Sequence, residues 1–195
     1  MEIKDILKEN KAHAYNDRNI PNDIKSRAKQ LCYEYNNLAP NQDERKREIL
    51  NELFGDCSPL TFIEPNFYCD YGFNIHTSGL TVINHNCVML DTSPINIGSN
   101  VFIGPGVVLS CAGHSKDPTQ RRQGVATSGP INIEDDVWIG ANSTITANIT
   151  IGKETIIGAG SVVTKDMPSG VVACGVPCKV IRKITKEDKE NILAF

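Results

Sequence analysis

The chain has 195 residues, 40% of them hydrophobic and 22% charged, with a net charge of -3. That length supports one domain with a real core and excludes two large ones, and the acidic balance argues against a broad basic face for nucleic acid. No apolar run approaches the roughly 18 residues that span a bilayer and the opening residues hold no apolar signal-peptide core, so a cytoplasmic, non-membrane protein is expected.

Seven cysteines, Cys32, Cys57, Cys69, Cys87, Cys111, Cys174 and Cys178, are irregularly spaced. An odd count without a secretory signal speaks against a disulfide framework. Cys174 and Cys178 are the only close pair. With no second pair or nearby histidine, small buried residues or free thiols are expected rather than zinc ligands.

In chain order, the first third has a helical pattern. Ile24, Ala28, Leu31, Cys32 and Tyr35 recur at intervals of three and four, with Lys25, Lys29, Gln30 and Glu34 on the other face. Pro21 and Asn22 precede this run, with Asn22 as the expected N-cap. A second helix follows Pro40. Asn41 and Glu44 have capping-box spacing, Ile49, Leu50, Leu53 and Phe54 form the apolar face, and Gly55 is a stop. Two such helices cannot make a core alone and must lie on something else.

From about residue 71 the period changes to six. Ile133, Ile139, Ile145, Ile151, Ile157 and Val163 are each six apart, and Ile97, Ile103 and Leu109 continue the series upstream. Glycine follows at Gly98, Gly104, Gly140, Gly152 and Gly158. Small or β-branched residues stand two places before the aliphatic, as at Val137, Ile149, Thr155 and Ser161. A hexapeptide period predicts a parallel β-helix. Three units make one triangular coil, the aliphatic points inward, and glycine or asparagine is expected at corners that need positive φ. Earlier coils are rougher: Tyr71-Gly72, Thr77-Ser78, Ile83-Asn84 and Met89-Leu90 keep the spacing but lose aliphatics. Met89 to Ile97 is a step of eight. A solenoid relaxes its code at a cap or a functional site.

The largest irregularity lies between Leu109 and Ile131, a polar stretch rich in turn residues that cannot be coil repeats. Loops that interrupt a rigid scaffold are favoured places for function. Of the four histidines, His13, His76, His85 and His114, only His114 stands where regular coil meets this loop. A general base there needs a partner for its second nitrogen.

Several stretches together resemble the maltose/galactoside O-acetyltransferase group of the hexapeptide-repeat acyltransferases. They are Phe-Tyr-Cys-Asp-Tyr-Gly (67–72), Ile-Gly-Ser-Asn-Val-Phe-Ile-Gly-Pro (97–105), Asp-Val-Trp-Ile-Gly-Ala (136–141), Ile-Gly-Ala-Gly-Ser-Val-Val-Thr-Lys-Asp-Met-Pro (157–168) and Gly-Val-Pro-Cys-Lys-Val-Ile-Arg-Lys-Ile (175–184). The similarity covers nearly the whole chain. It implies a mainly β fold: a left-handed parallel β-helix with a short α-helical N-terminal segment and an inserted loop. The implied division is a helical segment over 1–56, the β-helix over 57–184 with its loop at 110–130, and a tail over 185–195. The left hand is contrary to the usual crossover rule and comes from the resemblance alone.

The resemblance also implies a homotrimer with acetyl-CoA in a groove between subunits. It implies acetyl transfer to a hydroxyl of a sugar, maltose-, glucose- or galactoside-like, with no metal required. By motif, His114 is the base, Asn84 helps orient the acceptor or the oxyanion, and Asp70 binds the acceptor. Asp17 or Asn16 also reaches the acceptor by a looser alignment. The positions that match the CoA site are Gly104, Trp138, Ala141, Ala159, Thr164, Lys165 and Arg182. Small residues there let the pantetheine chain lie along backbone amides, and Lys165 and Arg182 are able to meet phosphates.

The chain departs from the pattern at Val125 and Ala126, where relatives often carry a glutamate or a larger residue, and at Ala147 and Asn148, which replace a Pro-Gly pair. Cys111 lies three residues before His114, but no cysteine has a recognisable base beside it, so direct transfer is expected over a covalent intermediate. Other possibilities are a non-sugar acceptor, a β-helix carbonic anhydrase with His76, His85 and His114 on zinc, and a non-catalytic trimeric scaffold.

Overall fold

The computed structural model of the chain describes residues 3–191. Residues 1–2 of the expected N-terminal segment and 192–195 of the expected tail lie outside the described residues. Among those described, no helix is long and apolar enough to cross a membrane.

The chain opens with α1 (Ile3–Leu7), a strand His13–Asn16 and a 3-10 turn Asp17–Asn19. Then come α2 (Asn22–Asn37) and α3 (Asp43–Leu53). The five residues expected on the apolar face of α2 are all buried, as are Ile49, Leu50, Leu53 and Phe54. The helices lie on the first coils of the solenoid: the Tyr35 hydroxyl donates to the Ile63 carbonyl at 2.6 Å. Both expected N-caps are corrected by the structure. Pro21 takes the cap position of α2 and Asn22 is already helical. Gln42 takes that of α3, and its side chain instead accepts from the Ala39 amide at 2.8 Å, so no Asn41–Glu44 capping box forms.

The rest is a prism of three parallel sheets. One stacks Ile75–Thr77, Ile95–Ile97, Ile131–Ile133 and Ile149–Ile151. The second stacks Thr61–Ile63, Thr81–Ile83, Val101–Ile103, Trp138–Ile139, Ile156–Ile157 and Val171–Cys174, closed by antiparallel Lys179–Lys183. The third stacks Tyr68–Cys69, Val88–Leu90, Val108–Ser110, Thr144–Ile145 and Val162–Val163. Ile131 pairs with Ile149 and Trp138 with Ile156, 18 residues along. Every aliphatic from Ile133 to Val163 in the six-residue series is 2% exposed or less.

Two details of the repeat differ from expectation. The unit before Thr77 is Cys69, which pairs in register with Met89, and not Tyr71. The eight-residue step from Met89 to Ile97 therefore recurs from Cys69 to Thr77, and the early coils take 20 residues. The extra residues build a wide corner around the buried carboxyl of Asp91. Secondly, the glycine after each aliphatic is not the left-handed residue. Positive φ falls two places later, at Asn100, Gly106, Asp136, Asn142, Glu154 and Gly160. Gly104 and Gly140 are needed for space instead: a Cβ would lie 2.7 Å from the Ala141 nitrogen and 2.5 Å from the Ala159 nitrogen.

The inserted stretch folds as a hairpin, Ala112–His114 with Val125–Ser128, whose tip holds α4 (Pro118–Arg122). The N-terminal strand His13–Asn16 adds to its other edge, giving a three-stranded antiparallel sheet. Ile133 still pairs with Ile97, so the insertion leaves the coil register intact.

Candidate active site

A cleft of about 220 Å³ lies where this small sheet meets the coils. Ala112, Gly113 and His114 form one wall and Ala126 another. Tyr15 and Asp17 come from the N-terminal strand and turn, Lys25 and Lys29 from α2, and Asp70, Tyr71 and Thr92 from the wide corners. His114, Asp17 and Asp70, singled out from the sequence, are thus brought together from three distant stretches.

Asp17 is held by identifiable contacts. The Asp17 amide donates to the Gly124 carbonyl at 3.0 Å, and its carboxylate takes Lys25 Nζ at 3.0 Å. Asn16 does not line the cleft: its side chain donates to the Gln123 carbonyl and fastens the N-terminal strand to the hairpin tip. Burial pushes the Asp70 carboxyl above its ordinary value, and Lys25 and Lys29 pull it back. His114 ends its strand in an exposed position opposite Ala126. Among the described residues no side chain hydrogen-bonds its ring. Val125 and Ala126 offer no carboxylate there, so among the described residues the second imidazole nitrogen has no side-chain partner.

Asn84 is not at this cleft. It follows Thr81–Ile83 at the corner between the second and third sheets, whereas the insertion leaves the corner between the third and the first. Its amide donates to Ile103 O at 2.9 Å, directly above Gly104, whose amide donates to Ile139 O at 2.8 Å. Asn84, Gly104, Ala141 and Ala159 therefore border one corner in successive coils. Trp138 stands on the outer face of the second sheet, 53% exposed, beside Phe102 at 46%. Thr164 and Lys165 are exposed at the opposite end of the third sheet. The Arg182 guanidinium is engaged by Asp188 at 2.8 and 2.6 Å. One chain thus divides the matched CoA positions between separate corners.

Sequence reasoning missed Lys25 and Lys29, taken as the solvent face of α2, and Tyr15, Tyr71, Asp91 and Thr92. The spacing of the two lysines, one helical turn apart, was the available signal. Asp91 is wholly buried. Its Oδ1 accepts from the amides of Asp70 (3.0 Å) and Tyr71 (2.8 Å), and its Oδ2 from that of Asn74 (3.3 Å). Burial pushes its carboxyl up to about 7. Thr92, the next residue, shares a 2.7 Å hydroxyl contact with Ser128 of the hairpin.

A larger and more open hollow of about 500 Å³ lies on the outside of the first sheet, lined by Asp56, His76, Asn96, Asn132 and Glu134 among others. It holds a histidine and two carboxylates but no ammonium group, and none of its residues comes from the inserted loop or the N-terminal strand. His76 is bonded to Asp56 there at 2.6 Å, and His85 to the Pro65 carbonyl. The structure does not gather His76, His85 and His114. Among the described residues, no three His, Cys, Asp or Glu side chains converge as a metal site needs.

Comparison with known proteins places this architecture. Residues 21–58 match the maltose acetyltransferase hexapeptide capping motif, and residues 130–165 match the bacterial transferase hexapeptide (six repeats). The galactoside O-acetyltransferase of Escherichia coli is 42% identical over 163 residues, 84% of this chain and 80% of that protein. A maltose O-acetyltransferase structure from Clostridium difficile superposes with a TM-score of 0.90 at 38% identity, covering 95% of this chain and 99% of that one. A galactoside acetyltransferase in complex with coenzyme A gives 0.89 at 36% identity, covering 100% and 96%. The solenoid is the left-handed parallel β-helix of these structures. The chain belongs to the hexapeptide-repeat acyltransferase family, in its maltose/galactoside O-acetyltransferase group.

Proposed function

We propose that this protein transfers the acetyl group of acetyl-CoA to a hydroxyl of a sugar, by direct attack with His114 as general base. The carrying observation is the convergence of His114, Asp17 and Asp70 in one cleft. Asp17 and Asp70 accept hydrogen bonds from the acceptor's hydroxyls, and Lys25 and Lys29 keep the cleft near neutral charge. His114 takes the proton of the attacking hydroxyl as its oxygen bonds to the acetyl carbon. The carbon–sulfur bond then breaks, and His114 returns the proton to the departing thiolate. Cys111 is buried and its thiol is pushed up to about 12, which agrees with direct transfer.

Asn84 and His114 leave different corners of the prism. A site that uses both takes His114 from one subunit and Asn84 from a neighbour, where its carboxamide donates to the developing oxyanion. The bare corner of Gly104, Ala141 and Ala159 below Asn84, with Trp138 flanking it, fits the pantetheine arm. Lys165 and Thr164 fit the role of its other wall, Lys165 meeting phosphate. Arg182 joins them by exchanging Asp188 for a phosphate. The site thus takes a neighbouring subunit, and a homotrimer is part of this proposal.

The test is a screen of glucose, maltose and methyl galactoside with acetyl-CoA, reading acetylated product by mass and free thiol release. Product with at least one sugar, dependent on His114, is expected. Thiol release without acetylated sugar would remove the sugar from the proposal.

A further inference from the structure

We propose that Asp91 is a positioning residue for the acceptor: its buried carboxyl group fixes the wide corner that presents Asp70 and Tyr71 to the cleft. This rests on the cleft being the acceptor site. Asp91 does not itself line the cleft. It collects three backbone amides, those of Asp70, Tyr71 and Asn74, on two oxygens. The Asn74 side chain donates in turn to the Asp91 carbonyl and to the Leu7 carbonyl, both at 2.9 Å, and so binds α1 to the same corner. Thr92, directly after Asp91, lines the cleft and is tied through Ser128 to the hairpin that ends at His114. One short stretch therefore sets the acceptor-binding carboxylate and the base relative to each other.

The fold alone does not require this acid. Later in the solenoid the same corner is turned between Ile145 and Ile151 in six residues, with Asn148 at positive φ and no buried carboxyl. Among the described residues Asp91 is the one buried acid, and it stands in an eight-residue corner that borders the cleft. Burying an ionisable group is costly, and a coil of standard length avoids that cost. The acid is thus associated with the cleft rather than with the solenoid.

The experiment compares wild type with Asp91→Asn in steady-state kinetics, using acetyl-CoA with maltose and with methyl galactoside. Asparagine keeps the oxygen facing Asp70 and Tyr71 but turns an NH₂ toward the Asn74 amide, so the corner shifts without emptying. The expected result is an acceptor KM raised about tenfold or more with the acetyl-CoA KM within about twofold, a split that general destabilisation would not produce. An unchanged acceptor KM, or equal rises in both KM values, overturns the proposal while leaving acetyl transfer intact. A wild type inert toward both sugars overturns the acceptor reading of the cleft and this proposal with it. If Asp91→Asn does not fold, hydrogen exchange on the wild type decides. Amides of Asp70, Tyr71 and Asn74 as protected as those of the coil core support the proposal, and exchange at loop rates overturns it.

Discussion

At the scale of single residues, two side chains carry the sharpest expectations. An alcohol attacks a thioester slowly unless its proton leaves as the bond forms. His114→Ala is expected to keep the fold and acetyl-CoA binding while lowering kcat by about 10²–10⁴. Near-normal turnover on an acetylated sugar would leave the mechanism without a base. Asp91 gives a stability signature. Its folded carboxyl titrates near 7 against an ordinary 3.8, so between those values the folded protein holds a proton that the unfolded chain has lost. Its stabilising share is whole below about 4 and is lost as pH rises through 7. Asp70 faces it and shifts in the same direction, as do the thiols of Cys69 and Cys111, which titrate far higher. The melting temperature of wild type is expected to fall more steeply from pH 4 to 8 than that of Asp91→Asn. Parallel curves in the two proteins would refute the assignment.

At the scale of elements, the coil is limited by backbone contact rather than by side-chain choice. Gly140→Ala places a Cβ 2.5 Å from the Ala159 nitrogen of the next coil, where neither strand can yield without breaking its ladder. A loss of about 1–3 kcal/mol in denaturant unfolding is expected. Ile139→Ala, at the adjacent inward position, is expected to cost about 2–5 kcal/mol through the cavity it leaves. If the glycine change proved neutral, its place in the hexapeptide would have to come from the cofactor groove instead. The helices were readable because α2 repeats its apolar residues at helical spacing over 16 residues. Their caps were not, because Pro21 and Gln42 compete with Asn22 and Asn41 only once the entering chain has a direction.

At the scale of the whole molecule, the proposed site is incomplete in one chain. Exposed Phe62, Phe102 and Trp138 line the outer face of the second sheet, and the proposed site, with Asn84 and His114 on different corners, would take one of the two from a neighbour. A trimeric mass by light scattering at micromolar concentration is expected, with about 1,000 Å² or more buried per interface. A monomer would remove the shared site. Lys165→Ala is expected to raise the acetyl-CoA KM more than it lowers kcat, since a phosphate contact is made equally in ground and transition states. An unchanged KM would return Lys165 to surface charge.

The sequence by itself determined the solenoid, because a residue that must point inward every sixth position leaves a period that no neighbouring contact alters. It also singled out His114 as a candidate, because an insertion stands out against a strict repeat. Only the tertiary structure decided where the early coils run. Tyr71 lies six residues before Thr77 by coincidence of spacing, and the true unit at Cys69 is fixed by pairing with Met89. Only the tertiary structure made the cleft, since the strand His13–Asn16 finds Val125–Ser128 across more than a hundred residues. Local periodicity holds no record of that pairing. The buried role of Asp91 was hidden for the same reason: an acid after Met89-Leu90 reads as a turn residue until three amides from the preceding coil are seen to close on it.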